Sequence, residues 1–159
     1  MQARMTNPAF LVPEAMQALH AFAKASHKGG IPARTILLIH LRASQINGCS
    51  VCVQMHSTEL KQSGETDERL FTVAAWRESP YFTDAERAAL ALTEAGTRLA
   101  DRPDSVSDEI WQEAARHYDE AGLASLVLAI AGINVWNRIN ALTRQVAGAW
   151  KPAVVAKTA

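Results

Sequence analysis

Apolar residues recur at three- and four-residue spacing along most of this chain, and no stretch alternates apolar and polar residues as a half-buried strand would. The first periodic segment runs from about Pro13 to Lys28. Proline suits its first turn, Met16, Leu19, His20, Phe22 and Ala23 share a face, and Gly29-Gly30 ends it. Residues 1–12 lack this pattern and read as a loosely held arm. Pro32 opens a second helix to about Ile46, and its apolar residues (Ile36, Leu37, Leu38, Ile39, Leu41) nearly encircle it, so it belongs at the centre. Asn47-Gly48 closes it, and a third helix follows from about Cys49 to Gln62, ending at Gly64.

A fourth helix covers about Asp67 to Glu78, with Leu70, Val73, Ala74 and Trp76 inward, and Ser79-Pro80 stops it. Thr83-Asp84-Ala85-Glu86 is a capping box that starts a fifth helix, ending near Ala100. After a break at Asp101-Arg102-Pro103-Asp104, Ser107 heads a sixth helix from about Asp108 to Glu120, with Ile110, Trp111, Ala114 and Tyr118 as its stripe and Gly122 as its stop. The seventh, Leu123 to about Ala147, is long and mostly apolar, interrupted by Asn134, Asn137, Arg138 and Asn140. Buried amides need partners, so these read as hydrogen-bonding groups between helices or subunits. Residues 151–159 show no pattern. The expectation is an all-α fold of about seven helices in a single domain over residues 1–159, with its core at about 15–148 and the four tryptophans (Trp76, Trp111, Trp136, Trp150) in core or interface.

Charge narrows the partners. Lys+Arg and Asp+Glu are 16 each, so no basic surplus exists to hold a nucleic acid, and none is expected. The apolar run from Leu123 to Trp136 is short for a membrane span and contains Asn134, so a buried helix is expected instead. The first eight residues lack the apolar core of a secretory signal, which makes the cytoplasm the expected compartment. There, structural disulfides are rare and a C-x-x-C pair is redox-active or metal-binding more often than not.

Both cysteines of the chain form such a pair, Cys49 and Cys52, and His56 follows four residues after the second. At a helix start, unpaired N–H groups and the helix dipole favour a thiolate. His56 at i+4 shares a face with Cys52 and can take its proton. Cys52 is then the better nucleophile, and Cys49 the thiol that resolves its adduct as a disulfide. A zinc site is an alternative: C-x-x-C-x-x-x-H supplies three ligands, but no second cluster completes the set. Two packed cysteines beside a packed histidine are the bland alternative. Of the other histidines, His20, His27 and His117 read as surface or core residues, whereas His40 on the central helix can approach the site.

From Leu41 to His56 the sequence resembles the alkyl hydroperoxidase D (AhpD)-like core of the carboxymuconolactone decarboxylase family, and the likeness extends through Trp76-Arg77-Glu78, Thr83 to Leu90 and Ile133 to Arg138. The resemblance implies an all-α fold, a homo-oligomer (trimer or hexamer) and thiol-dependent reduction of a small hydroperoxide. It also implies an external thiol or disulfide reductant and no metal or organic cofactor. It gives Cys52 the attack, Cys49 the resolution and His56 the proton relay. Two positions depart from the family. The relay glutamate expected twelve residues before Cys49 is Leu37, and the histidine that AhpD carries between its cysteines is Val51. A carboxylate from elsewhere, Glu86 or Glu94, is a candidate replacement. Alternatives are a decarboxylase of the lactone type, which has no use for a dithiol, and a redox-sensing oligomer of low turnover.

Overall fold

A computed structural model describes residues 1–101 and 103–149. Its helices are α1 (Pro8–Leu11), α2 (Pro13–Ser26), α3 (Ala33–Ile46), α4 (Ser50–Gln62), α5 (Asp67–Thr72), a 3₁₀ turn (Val73–Ala75), α6 (Asp84–Thr97), α7 (Asp108–His117) and α8 (Glu120–Thr143). No strand occurs among the described residues, as the spacing predicts. Trp150 and residues 151–159 lie outside the described residues.

The encircling apolar pattern of α3 has the consequence foreseen for it. Ile36, Leu38, Ile39 and Leu41 are fully buried, each stabilising the fold by roughly 1.5–3 kcal/mol. The helix is packed by α4, α6 and α8. Ile36 and Ile39 face one core cluster with Ala89, Leu92, Leu126 and Ile130. Leu38 and Leu41 face a second with Leu60, Val73, Trp76, Phe82 and Leu90, and Leu37 packs against that second cluster. A third, small cluster joins Ala43, Cys49, Cys52 and Ile133. The dithiol is thus part of the core where α3, α4 and α8 meet.

Several elements differ from the reading of the sequence. The N-terminal arm is tied down. Asn7 caps α1 and Pro8 opens it. The Arg4 N–H and guanidinium donate to the carbonyls of Thr143 and Leu142, and Gln145 donates to the carbonyl of Met5. The fourth helix is shorter than expected, tightens into the 3₁₀ turn, and leaves Ala74 exposed. The last break falls at Tyr118-Asp119 rather than at Gly122. The Asp119 carboxylate accepts from the Gly122 N–H, so that glycine sits in the first turn of α8. Trp111 is 42% exposed, while Trp76 is buried. Gly29 is required by contact: a side-chain carbon there would lie 2.1 Å from the Ala121 carbonyl oxygen.

Helix α8 is long and apolar enough to cross a membrane, by length and composition, and half of that window is buried in the fold. Leu126, Ala129, Ile130 and Ile133 pack inward, which is the placement of a core helix.

Candidate active site

Chain geometry places the thiols. The backbone at Gly48 takes φ +67°, a left-handed conformation that glycine adopts freely. This turn separates α3 from α4 and leaves Cys49 as the N-cap of α4, with extended backbone. Its sulfur accepts the backbone N–H of Cys52 at 3.4 Å, the position an Asp or Ser oxygen holds in an ordinary cap. Both cysteines are reduced and buried.

Three asparagines of α8 brace this turn from below. The Asn47 amide N–H₂ donates to the side-chain oxygens of Asn134 and Asn137, at 2.9 Å each. Asn137 donates to Ser44 Oγ at 3.1 Å, and Asn134 to Thr97 Oγ1 and the Ile130 carbonyl. One helical turn further, Asn140 Nδ2 donates to Cys52 Sγ at 3.2 Å and lies 3.7 Å from Cys49 Sγ. Its oxygen accepts from Asn7 Nδ2 at 2.8 Å, so the N-terminal arm fixes which end of that amide faces the sulfurs.

The environment separates the two thiols electrostatically. Hydrogen bonding from the Cys52 thiol is the largest influence on Cys49; with the Cys52 N–H and the amides of Asn140 and Asn137 it outweighs burial and holds the Cys49 pKa down to about 6. Cys52 is pushed up, first because its thiol is the donor to Cys49, then by burial and by the charge on Cys49. Of the two, Cys49 is the more acidic and Cys52 the one that holds its proton more tightly. The first-turn argument expected Cys52 to be the more acidic. The structure reverses this because the sulfur that receives the helix N–H is that of the cap, Cys49.

Cys52 lines a cavity of about 770 Å³. Met16, Leu19 and Phe22 from α2 and Trp136 from α8 form its walls, together with Phe10 and Asn7 of the N-terminal arm. This explains why the apolar stripe of α2 is only partly buried: it faces the cavity rather than the core. His56 and His40 also line it. Their rings are 5.0 Å apart. Burial first, then the neighbouring His56 and His27, lower the His40 pKa to about 3, so this ring is neutral and carries no proton charge through the site.

His56 Nδ1 lies 2.8 Å from the Glu59 carboxylate on the same helix. Its Nε2 is buried and has no hydrogen-bond partner. One other buried side-chain atom among the described residues is in that position, Glu65 Oε2, and it has Arg34 Nε 4.0 Å away. The bare Nε2 therefore stands apart as an uncompensated acceptor beside a thiol-bearing cavity.

The two carboxylates expected as relay candidates do not line this cavity. Glu86 completes the capping box with Thr83 and pairs with Arg69, its oxygen 2.6 Å from Nη2. Glu94 receives Arg42, Arg77 and the Trp76 N–H. Burial raises its pKa, but those hydrogen bonds more than offset this and hold it below the usual carboxylate range. Neither has a free oxygen to move a proton for the thiols. Sequence reasoning overlooked Glu59, although i+3 from His56 on a helix is a contact spacing. The asparagines of α8 do bond between helices as expected, and what the sequence left open is that the partners of Asn140 are the sulfurs.

The sequence pattern that defines the carboxymuconolactone decarboxylase family matches residues 13–95. The chain belongs to this family. A curated relative, the uncharacterized protein YdfG of Bacillus subtilis (strain 168), is 37% identical over 130 residues, covering 82% of this chain and 87% of YdfG. A crystal structure of a protein of unknown function from Agrobacterium tumefaciens, assigned provisionally to antioxidant defence as an AhpD, superimposes with a TM-score of 0.84 at 35% identity. The match covers 92% of this chain and 98% of that one. The apo structure of the debrominase Bmp8 superimposes with a TM-score of 0.76 at 25% identity, covering 86% of this chain and 73% of Bmp8. The chain is an AhpD-like member of the family, with the all-α AhpD-like fold and a C-x-x-C pair at the start of α4.

Proposed function

We propose that this protein is a thiol-dependent reductase of small organic hydroperoxides. The observation that carries the reading is the Cys49–Cys52 pair, both free thiols, with Cys52 lining an apolar cavity that His56, whose buried Nε2 is unpartnered, also lines. In the proposed cycle His56 Nε2 takes the Cys52 proton, and the thiolate attacks the distal peroxide oxygen. The O–O bond breaks, the alkoxide recovers the proton from His56 as an alcohol, and Cys52 is left as a sulfenic acid. The Cys49 thiolate then attacks that sulfur; hydroxide leaves, takes a proton and departs as water, and the disulfide forms. An external dithiol must return two electrons and two protons to close the cycle. The Asn140 N–H supports whichever sulfur carries negative charge.

The same reading takes the protein to be a cytoplasmic homo-oligomer, a trimer or hexamer. In support, Val127, Leu128, Val135 and Leu142 of α8 are exposed apolar side chains. Sedimentation of the purified chain tests the assembly. The activity is tested by consumption of tert-butyl hydroperoxide in the presence of a dithiol. Turnover that stops in Cys52→Ser is expected; wild-type rates in both single-cysteine variants refute the proposal.

The likeness to Bmp8 favours a second electrophile for the same dithiol. A cysteine-to-alanine variant of that debrominase was crystallised with 2,3,4-tribromopyrrole, and the cavity here has ring-bearing walls from Phe10, Phe22 and Trp136. Attack of Cys52 on a ring bromine, with protonation of the ring carbon, gives a sulfenyl bromide; Cys49 then displaces bromide and forms the same disulfide. Bromide release from a bromopyrrole without hydroperoxide turnover selects this reading.

A further inference from the structure

We propose that Glu59 is the positioning carboxylate of the His56 relay, supplied from the same helix in place of the one that Leu37 cannot provide. This inference rests on the reading of Cys52 and His56 as a proton-coupled pair.

Position 37 offers no proton path, since Leu37 packs against the core cluster of α3 and the 3₁₀ turn. The carboxylates of Glu86 and Glu94 are engaged by arginines. Glu59 alone among these is bonded to the imidazole, at 2.8 Å from Nδ1, and it lines the cavity with His56 and Cys52. A carboxylate at Nδ1 keeps the ring proton there. The lone pair is then on Nε2, the atom that is buried and has no partner. Removing the Cys52 proton makes an imidazolium, and the adjacent carboxylate stabilises that charge without itself being protonated, the part an aspartate plays behind a catalytic histidine in hydrolases. Glu59 is also 43% exposed at its side chain while His56 is 7%. It therefore stands between a buried imidazole and solvent, where it can keep its charge and hold the ring in one orientation.

The surroundings leave this role to Glu59. The other titratable groups that line the cavity with His56 are His40 of α3, which is neutral, His20 of α2, and the Cys52 thiol. Helix α8 and the N-terminal arm present uncharged side chains to the cavity, among them Trp136, Asn140 and Asn7.

The test compares wild type with Glu59→Gln and Glu59→Asp in the full chain, both checked for unchanged thermal melting. Three readouts are taken: hydroperoxide turnover against pH, site-resolved alkylation of Cys52 by mass spectrometry, and the His56 tautomer by ¹⁵N NMR. In Glu59→Gln, kcat is expected to fall about tenfold or more with KM unchanged, the acid limb of the pH–rate profile to move, and Cys52 alkylation to slow by a similar factor. Nδ1–H, the single tautomer in wild type, should give way to a mixture. Glu59→Asp should recover part of the loss. Equal alkylation rates and an unchanged tautomer in Glu59→Gln overturn the proposal. A wild-type protein inert to hydroperoxide overturns the function proposed above instead, and the alkylation and tautomer measurements then still decide the role of Glu59.

Discussion

Two buried polar clusters in this fold differ in how fully their atoms are partnered. Around Glu94 the polar atoms are saturated: one oxygen accepts from Arg42 Nε at 2.7 Å and from the Trp76 N–H at 3.0 Å, and the other receives Arg77. Around Cys52 the balance is incomplete. The Cys52 thiol is held protonated beside a more acidic neighbour, and an imidazole nitrogen has no partner at all. Saturation makes the first cluster a brace that ties α3, the segment after the 3₁₀ turn and α6 together. On the proposed function, incompleteness makes the second a place where protons and electrons have somewhere to go. The difference between structural and reactive polarity thus lies in unmet hydrogen-bonding capacity, since unpaired buried groups are costly and persist where something else is gained.

The sharpest break of this contrast is Cys52→Ser, which should reduce hydroperoxide turnover to background while leaving the melting temperature near wild type, as read by a coupled peroxide assay and calorimetry. Next is His56→Ala. Removing a general base costs roughly 10²–10⁴-fold in rate, so kcat/KM should drop within that range; an unchanged value dissociates His56 from the thiol chemistry.

On the saturated side, Glu94→Ala strands Arg42, whose side chain is 12% exposed. It should lower stability by about 3 kcal/mol in denaturant titration, the low end for a broken buried pair because Arg77 can turn to water. Peroxide turnover per folded molecule should persist. The sign with pH follows from the depressed pKa of Glu94. Its ionised form stabilises the fold fully above the ordinary carboxylate pKa, and this contribution is lost as pH falls through the lowered one. The deficit of the variant should therefore be largest at neutral pH and shrink in acid.

The smallest effect is expected at Asn140. The Cys49 thiol should alkylate with a midpoint near pH 6 in wild type, against 9.0 for an unperturbed thiol. Asn140→Ala removes one N–H donor and should raise that midpoint by about one unit. Iodoacetamide labelling against pH, resolved for each cysteine, measures both.

Local signals carried most of the fold. Helix α3 was legible because its apolar residues surround it, and the capping box at Thr83 marks the start of α6 where the structure has it. The place of the C-x-x-C pair at a helix start was legible for the same reason: Cys49 caps α4 and its sulfur accepts the Cys52 N–H three residues on. What escaped depended on partners distant in sequence. Asn140 lies 91 residues from Cys49, and nothing in the α8 pattern says which of its amides meets a sulfur. The arm was misread because Asn7-Pro8 is a weak cap signal on a four-residue helix, and because the side chains that attach it, Arg4 and Asn7, meet partners more than 130 residues away. Glu59 was within reach of local reasoning, but an acidic residue on an exposed helix face ordinarily means only solubility.

The attachment of that arm has a practical side. Phe10 and Asn7 are wall and strut of the cavity, yet they precede every helix that forms the core. Selectivity toward the bulk of the incoming electrophile can therefore be reset by editing a dozen residues, with the dithiol and its three-helix frame left intact. Equally, on the proposed function a substitution in the arm acts on the reacting cavity itself.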